Sequence, residues 1–242
     1  ISLVKTGIFS QTVGNARLAS LQIDAGSLKV VNTLLLAGEL SVAQDGNLVV
    51  GHDEWQGLYD YDVQVNDGGV LRLGSGFGSL TGTPYTEDGV QKTGNTILLN
   101  GGGVLGMLDA DWSNENEMVV NVGGKAFVLD TTGYDPDSMT ASGNSHVMTL
   151  NGTVKPGGAS GTIIVKNGNA DKNGRVVLGA ANPWDGVDQV TDHAALELAH
   201  AGALNTKAGV ELQGAASRLD VKAGTVSYAA SVKLAGAGAS VN

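Results

Sequence analysis

One small unit recurs along the chain and constrains its fold more than any other feature: an alternating apolar stretch, a short turn rich in Asn, Asp, Ala and Gly, then a second alternating stretch. It reads as Leu21-Gln22-Ile23, Asp24-Ala25-Gly26, Leu28-Lys29-Val30, and returns as Leu40 to Val42, Gln44-Asp45-Gly46, Leu48 to Val50. Val63-Gln64-Val65-Asn66-Asp67-Gly68-Gly69-Val70 and Ile97-Leu98-Leu99-Asn100-Gly101-Gly102-Gly103-Val104 are further copies. The region 175–242 is the most regular, with Leu196-Glu197-Leu198, Val210-Glu211-Leu212, Leu219-Asp220-Val221 and Val232-Lys233-Leu234 in succession. Such alternation places the apolar side chains on one face of a strand. Asn32, Asn66 and Asn100 each follow a strand-like stretch at even spacing, a hint of successive coils.

Two architectures produce this pattern. Asn-Gly and Asp-Gly turns between alternating runs are hairpin signals and would give an antiparallel sandwich or barrel. Strands that turn corners and stack on the next coil would give a parallel β-helix. The second accommodates copies separated by inserts of unequal length, whereas a closed sandwich needs matched strands. The expectation is therefore an all-β chain, one β-solenoid domain over residues 1–242, with loop inserts near 51–62, 77–95, 108–117 and 130–146. At about 20–25 residues per coil it would make about ten coils, a rod roughly 50 Å long at ~4.8 Å per stacked strand. One stretch competes: Thr191 to Ala201, closed by Gly202, also reads as a short helix.

Composition fits thin aliphatic layers. There are 37 glycines without collagen periodicity, 4 prolines and only 5% aromatic residues, so the glycines serve turns and the interior is built of Val, Leu, Ile and Ala. The absence of cysteine removes disulfides, thiolate nucleophiles and Cys-ligated metals. A net charge of −10 lacks the basic footprint of a nucleic-acid binder and disfavours anionic membrane surfaces. No apolar run approaches the ~20 residues of a membrane-spanning helix, so the chain is expected not to be membrane-inserted. It begins at Ile1 and ends just after a strand-like unit, which reads as a portion of a longer surface protein.

From Arg175 onward, Arg175-Val176-Val177-Leu178-Gly179-Ala180-Ala181-Asn182, then Gly186 and Val190, then Ala195-Leu196-Glu197-Leu198-Ala199-His200-Ala201-Gly202-Ala203-Leu204, then Val210-Glu211-Leu212-Gln213-Gly214-Ala215 resembles the autotransporter-associated β-strand repeat. The likeness covers about 70 residues as motif and the rest as grammar. Where the family has Tyr-Gly-Gly-Thr after the Asn, this sequence has Pro183-Trp184-Asp185-Gly186. The resemblance implies a right-handed β-helical passenger, export through the outer membrane of a Gram-negative-type envelope, and an extracellular position on the cell surface. A passenger of this kind would act as a structural or adhesive element toward host or neighbouring-cell glycans or proteins, or by self-association.

The search for chemistry yields little that is specific. His52, His146, His193 and His200 sit in no catalytic motif, Gly-x-Ser-x-Gly is absent, and the Ser145-His146 pair has no elbow glycines. His193 and His200 are spaced for neither a helical zinc site nor a finger. Gly74-Ser75-Gly76-Phe77-Gly78 and Asn100 to Gly103 lack the continuation of a phosphate loop and read as turns. Asn169, Asp171 and Asn173 match the opening of a Ca2+ loop, but the twelfth position is Ala180 where glutamate is needed, so a solvated turn is the plainer account. Paired acids such as Asp60 with Asp62, Asp109 with Asp111 and Asp135 with Asp137 leave open a β-helical polysaccharide-degrading enzyme. We expect no enzyme and no cofactor. The most suggestive binding feature is the 51–62 insert, where Trp55, Tyr59 and Tyr61 alternate with Asp53, Glu54, Asp60 and Asp62. Exposed aromatics stack on sugar rings while adjacent carboxylates accept the sugar hydroxyls, which makes a carbohydrate-binding module the alternative reading; the plainer account of the same aromatics is that they fold back to cover the side of the solenoid. Trp112 and Trp184, each with acidic neighbours, are weaker candidates for the same role.

Overall fold

The computed structural model describes residues 1–242 except 37–39, 44–45, 51–62, 74–84, 88–89, 93–96, 136–137, 139, 171–173, 223 and 225–230. Strands in it stack as coils. The alternating stretches form three parallel sheets, and no helix occurs among the described residues. The first sheet has seven strands: Ser2–Lys5, Ser20–Ile23, Leu40–Val42, Val63–Val65, Ile97–Asn100, Met118–Asn121 and Val154–Pro156. The second has ten and runs the length of the molecule, from Gln11–Leu18 through Gly26–Leu36, Gly46–Val50, Val70–Leu73, Val104–Met107, Phe127–Asp130, Thr162–Lys166, Val187–Val190 and Gly209–Leu212 to Val232–Leu234. The third has six: Trp112–Asn114, Val147–Leu150, Arg175–Leu178, Ala195–Leu198, Arg218–Val221 and Ser240–Val241. The expected parallel β-solenoid is thus the fold, and ten strands at ~4.8 Å make a column roughly 45 Å long.

Alternation does the work that the sequence pattern requires of it. In the second sheet Leu28, Leu48, Leu71, Leu105 and Leu129 occupy equivalent positions, and each is 3% exposed or less. Intervening residues such as Lys29, Gln189 and Glu211 point outward. Repeating one inward position in register builds continuous aliphatic stacks, so each coil buries its face only when its neighbours are present. The corners between the first and second sheets are the Asn/Asp-Gly turns. Gly68 and Gly102 there have φ of 73° and 87°, a left-handed conformation that glycine adopts without strain. At this corner Asn100 Nδ2 donates to Asn66 Oδ1 at 2.7 Å, and Asn66 Nδ2 to Ser41 Oγ at 2.9 Å. Asn32 lies within the second-sheet strand Gly26–Leu36 and not at such a corner.

Two expectations of the sequence need correction. Within 108–117, Trp112–Asn114 is not loop: it founds the third sheet, pairing with Val147–Leu150 of the next coil. Thr191 to Ala201 is not a helix, since Ala195–Leu198 is a central strand of that sheet. The turn before it reaches positive φ at Asp192 and His193, 48° and 64°, without a glycine. The insert at 130–146 contains an antiparallel hairpin, Thr132–Tyr134 with Ala141–Ser145. Tyr85–Glu87 and Val90–Lys92 form the other antiparallel pair among the described residues, so hairpins belong to inserts and the column is parallel.

The cross-section changes along the axis. The first coil returns directly from the second sheet to the first, Leu18 to Ser20, whereas later the chain leaves the second sheet at Val50 and Leu73 and re-enters the first only at Val63 and Ile97. From Trp112 onward the third sheet lies between the second and that return. The first sheet then ends at Val154–Pro156, and later coils cross its position as turns.

Candidate functional site

The expected sugar-contacting residues Asp53, Trp55, Tyr59, Tyr61, Asp60 and Asp62, with Glu54 and His52, lie outside the described residues, as do Asp171 and Asn173 of the Ca2+ candidate. What the fold fixes is where the 51–62 segment attaches, on the insert-bearing side between the second and first sheets. Asn169, the described member of the Ca2+ set, donates its side-chain amide to the Asn144 carbonyl and its backbone N–H to Asn167 Oδ1. Among the described residues no three His, Asp or Glu gather as a metal-ligating group.

The two other tryptophans are corrected outright. Trp112 and Trp184 are 4% and 3% exposed and belong to the core, so neither presents a face to a ligand. Ser145 is buried and donates its hydroxyl to Asn167 Oδ1 at 2.7 Å, while His146 Nδ1 stands 3.6 Å from Asp111 Oδ1. The same Asp111 oxygen accepts from the Val147 N–H at 2.8 Å, anchoring the start of a third-sheet strand. His193 and His200 flank the strand Ala195–Leu198, and His200 Nδ1 accepts from the Gly202 N–H at 2.9 Å.

Two buried polar groupings went unread in the sequence. On the outer surface of the second sheet, Arg72 crosses Gly106 toward Asp130 two strands away, its Nη1 3.8 Å from Asp130 Oδ2. A Cβ at Gly106 would lie 2.6 Å from Arg72 Nη1, so glycine opens the channel in which the side chain runs. Tyr134 of the hairpin covers the guanidinium, 3.5 Å from ring centroid to Arg72 Cζ, and Asp130 Oδ1 accepts from the Thr132 N–H at 3.1 Å. A cation on a ring face with a buried carboxylate beside it pins the hairpin to the column.

The second grouping lies inside. Asp188 occupies the inward register position that Ile163 and Val210 hold in adjacent coils, and is 4% exposed. Its Oδ2 and the neighbouring Trp184 Nε1 have no completed hydrogen bond. Burial pushes the Asp188 carboxyl up to about 7, an effect that the nearby Trp184 indole N–H partly offsets. Asn182 closes the turn above it: its Oδ1 accepts from the Val154 N–H at 2.7 Å and its Nδ2 donates to the Ala203 carbonyl at 3.0 Å. The Trp184 N–H donates to the Val154 carbonyl at 3.1 Å. Asn182 therefore acts as a side-chain substitute for a peptide group where the first sheet stops.

Comparison with known proteins gives no relative: no family model, no curated protein and no solved structure matches the chain.

Proposed function

We propose that the chain is the extracellular structural or adhesive passenger region of an autotransporter-like bacterial surface protein, acting by surface contact or self-association. The observation that carries this reading is the parallel column itself. Among the described residues the exposed large hydrophobics are Ile1, Val4, Ile8, Phe9, Val232, Leu234 and Val241. Val232, Leu234 and Val241 continue the stacks of Val210, Leu212 and Leu219, which are buried at 1% or less. A further parallel coil of the same alternation would extend these stacks, and that is the contact self-association would use. Inserts on one side of the rod supply the surface for glycans or proteins of host or neighbouring cells. Outer-membrane export and a cell-surface position follow from the same reading.

Beads coated with the chain test this directly. They are expected to adhere to cells or to cluster with one another, and to lose clustering when Leu234 and Val241 become lysine. Beads that bind neither cells nor each other would sink the reading. A glycan array distinguishes the binding mode: retention that disappears in Trp55→Ala with unchanged melting would transfer the contact to the 51–62 insert.

A further inference from the structure

The interior at Asp188 goes beyond a passive column. Asp188 stands in register between Ile163 and Val210 and lines a cavity shared with Val176 and Leu196 of the third sheet, Val154 of the first, and Asn182 and Trp184 of the turn. Among the described residues that line the cavity no other titrates, so none of them supplies a cation to an ionised carboxylate or a second acid to share its proton. The space beside it is about 20 Å³, room for about one water molecule. On the other side of the same turn lies an open groove lined by Ala181, Asn182, Pro183, Gly202 and Leu204. Asn182 borders both spaces and so stands between the buried carboxyl and the open groove.

We propose that Asp188 and Asn182 form a proton-operated latch at the junction where the first sheet ends. With its proton on, the carboxyl lies uncharged in the aliphatic stack and the turn 179–186 stays closed through the two Asn182 bonds. With the proton off, the carboxylate needs more water than the roughly one molecule the cavity can hold, and the path for it is displacement of Asn182. Val154 N–H and the Ala203 carbonyl then lose their partner together, and the junction opens. The proton passes to solvent as the site hydrates, so no further reactant is needed.

The sign follows from linkage. An acid raised from 3.8 to about 7 in the folded state holds its proton in the closed form and loses it in the open one. Opening is therefore most disfavoured at or below pH about 4. Its equilibrium constant rises up to tenfold per pH unit between about 4 and 7, then levels.

Hydrogen exchange of the amides at Val154, Trp184 and Val187, read against pH in the intact chain and in Asp188→Asn, tests the latch. In the wild type, opening corrected for intrinsic exchange is expected to increase toward pH 7, while Asp188→Asn shows a flat profile at the same amides. Parallel profiles in the two proteins would overturn the proposal. If Asp188→Asn does not fold, infrared difference spectra of the wild type decide: a protonated-carboxyl band persisting at pH 6 and lost above pH 7 supports the latch, and its absence at pH 6 overturns it.

Discussion

At the scale of single residues, the close approach of coils leaves no space for certain side chains. A Cβ on Gly101 would lie 1.9 Å from the Val122 carbonyl oxygen, a backbone atom that cannot swing aside. Gly101→Ala is expected to cost about 2–3 kcal/mol by forcing two coils apart, measurable as a lower urea midpoint. Arg72 answers to a different force. Arg72→Met keeps much of its volume but leaves Asp130, 4% exposed, without its cation. That should destabilise by about 3 kcal/mol and loosen the hairpin, seen as faster proteolytic nicking within residues 135–140. Asp188→Leu should act in the opposite direction at pH 8, raising stability because an aliphatic side chain completes the stack between Ile163 and Val210.

At the scale of elements, sheets end where a substitute completes the ladder. The first sheet does not fray at Val154–Pro156 because Asn182 and the Trp184 backbone take over its hydrogen bonds. Asn182→Ala removes a partner from two backbone groups at once and should cost about 2–4 kcal/mol. Exchange protection at Val154 and at the turn should fall first, while Leu28 and Leu48, many coils away, keep theirs. A uniform loss of protection would show instead that the junction is not a local unit.

At the scale of the whole molecule, stability is a sum over neighbouring coils, so whole coils are removable and fractions of coils are not. Gln189 and Glu211 stand 22 residues apart in register, with Val187 paired to Gly209. Excising residues 187–208 joins Gly186 to Gly209 in the same register, and the shortened chain should still fold to a β-rich column. Excising one residue fewer turns every inward side chain of the following strand outward. That second chain should lose its cooperative melting transition in circular dichroism. Equal behaviour of the two deletions would be incompatible with register-controlled stacking.

Much of this fold was legible in the alternation of Leu21, Ile23, Leu28 and Val30 and in the glycine corners after Asn66 and Asn100, because strand periodicity and turn chemistry are local properties. The sequence alone therefore determined strands, turns, an aliphatic interior and a preference for stacking. It did not determine that Trp112 founds a third sheet or that Trp184 lies inside, since an aromatic among acidic residues has the same local pattern in a loop as in a core. Arg72, Gly106 and Asp130 are brought together by three coils of different length, and Asp188 meets Ile163 only once the register is set. Only the tertiary structure decides such partnerships, because burial and charge pairing depend on what the next coil places alongside.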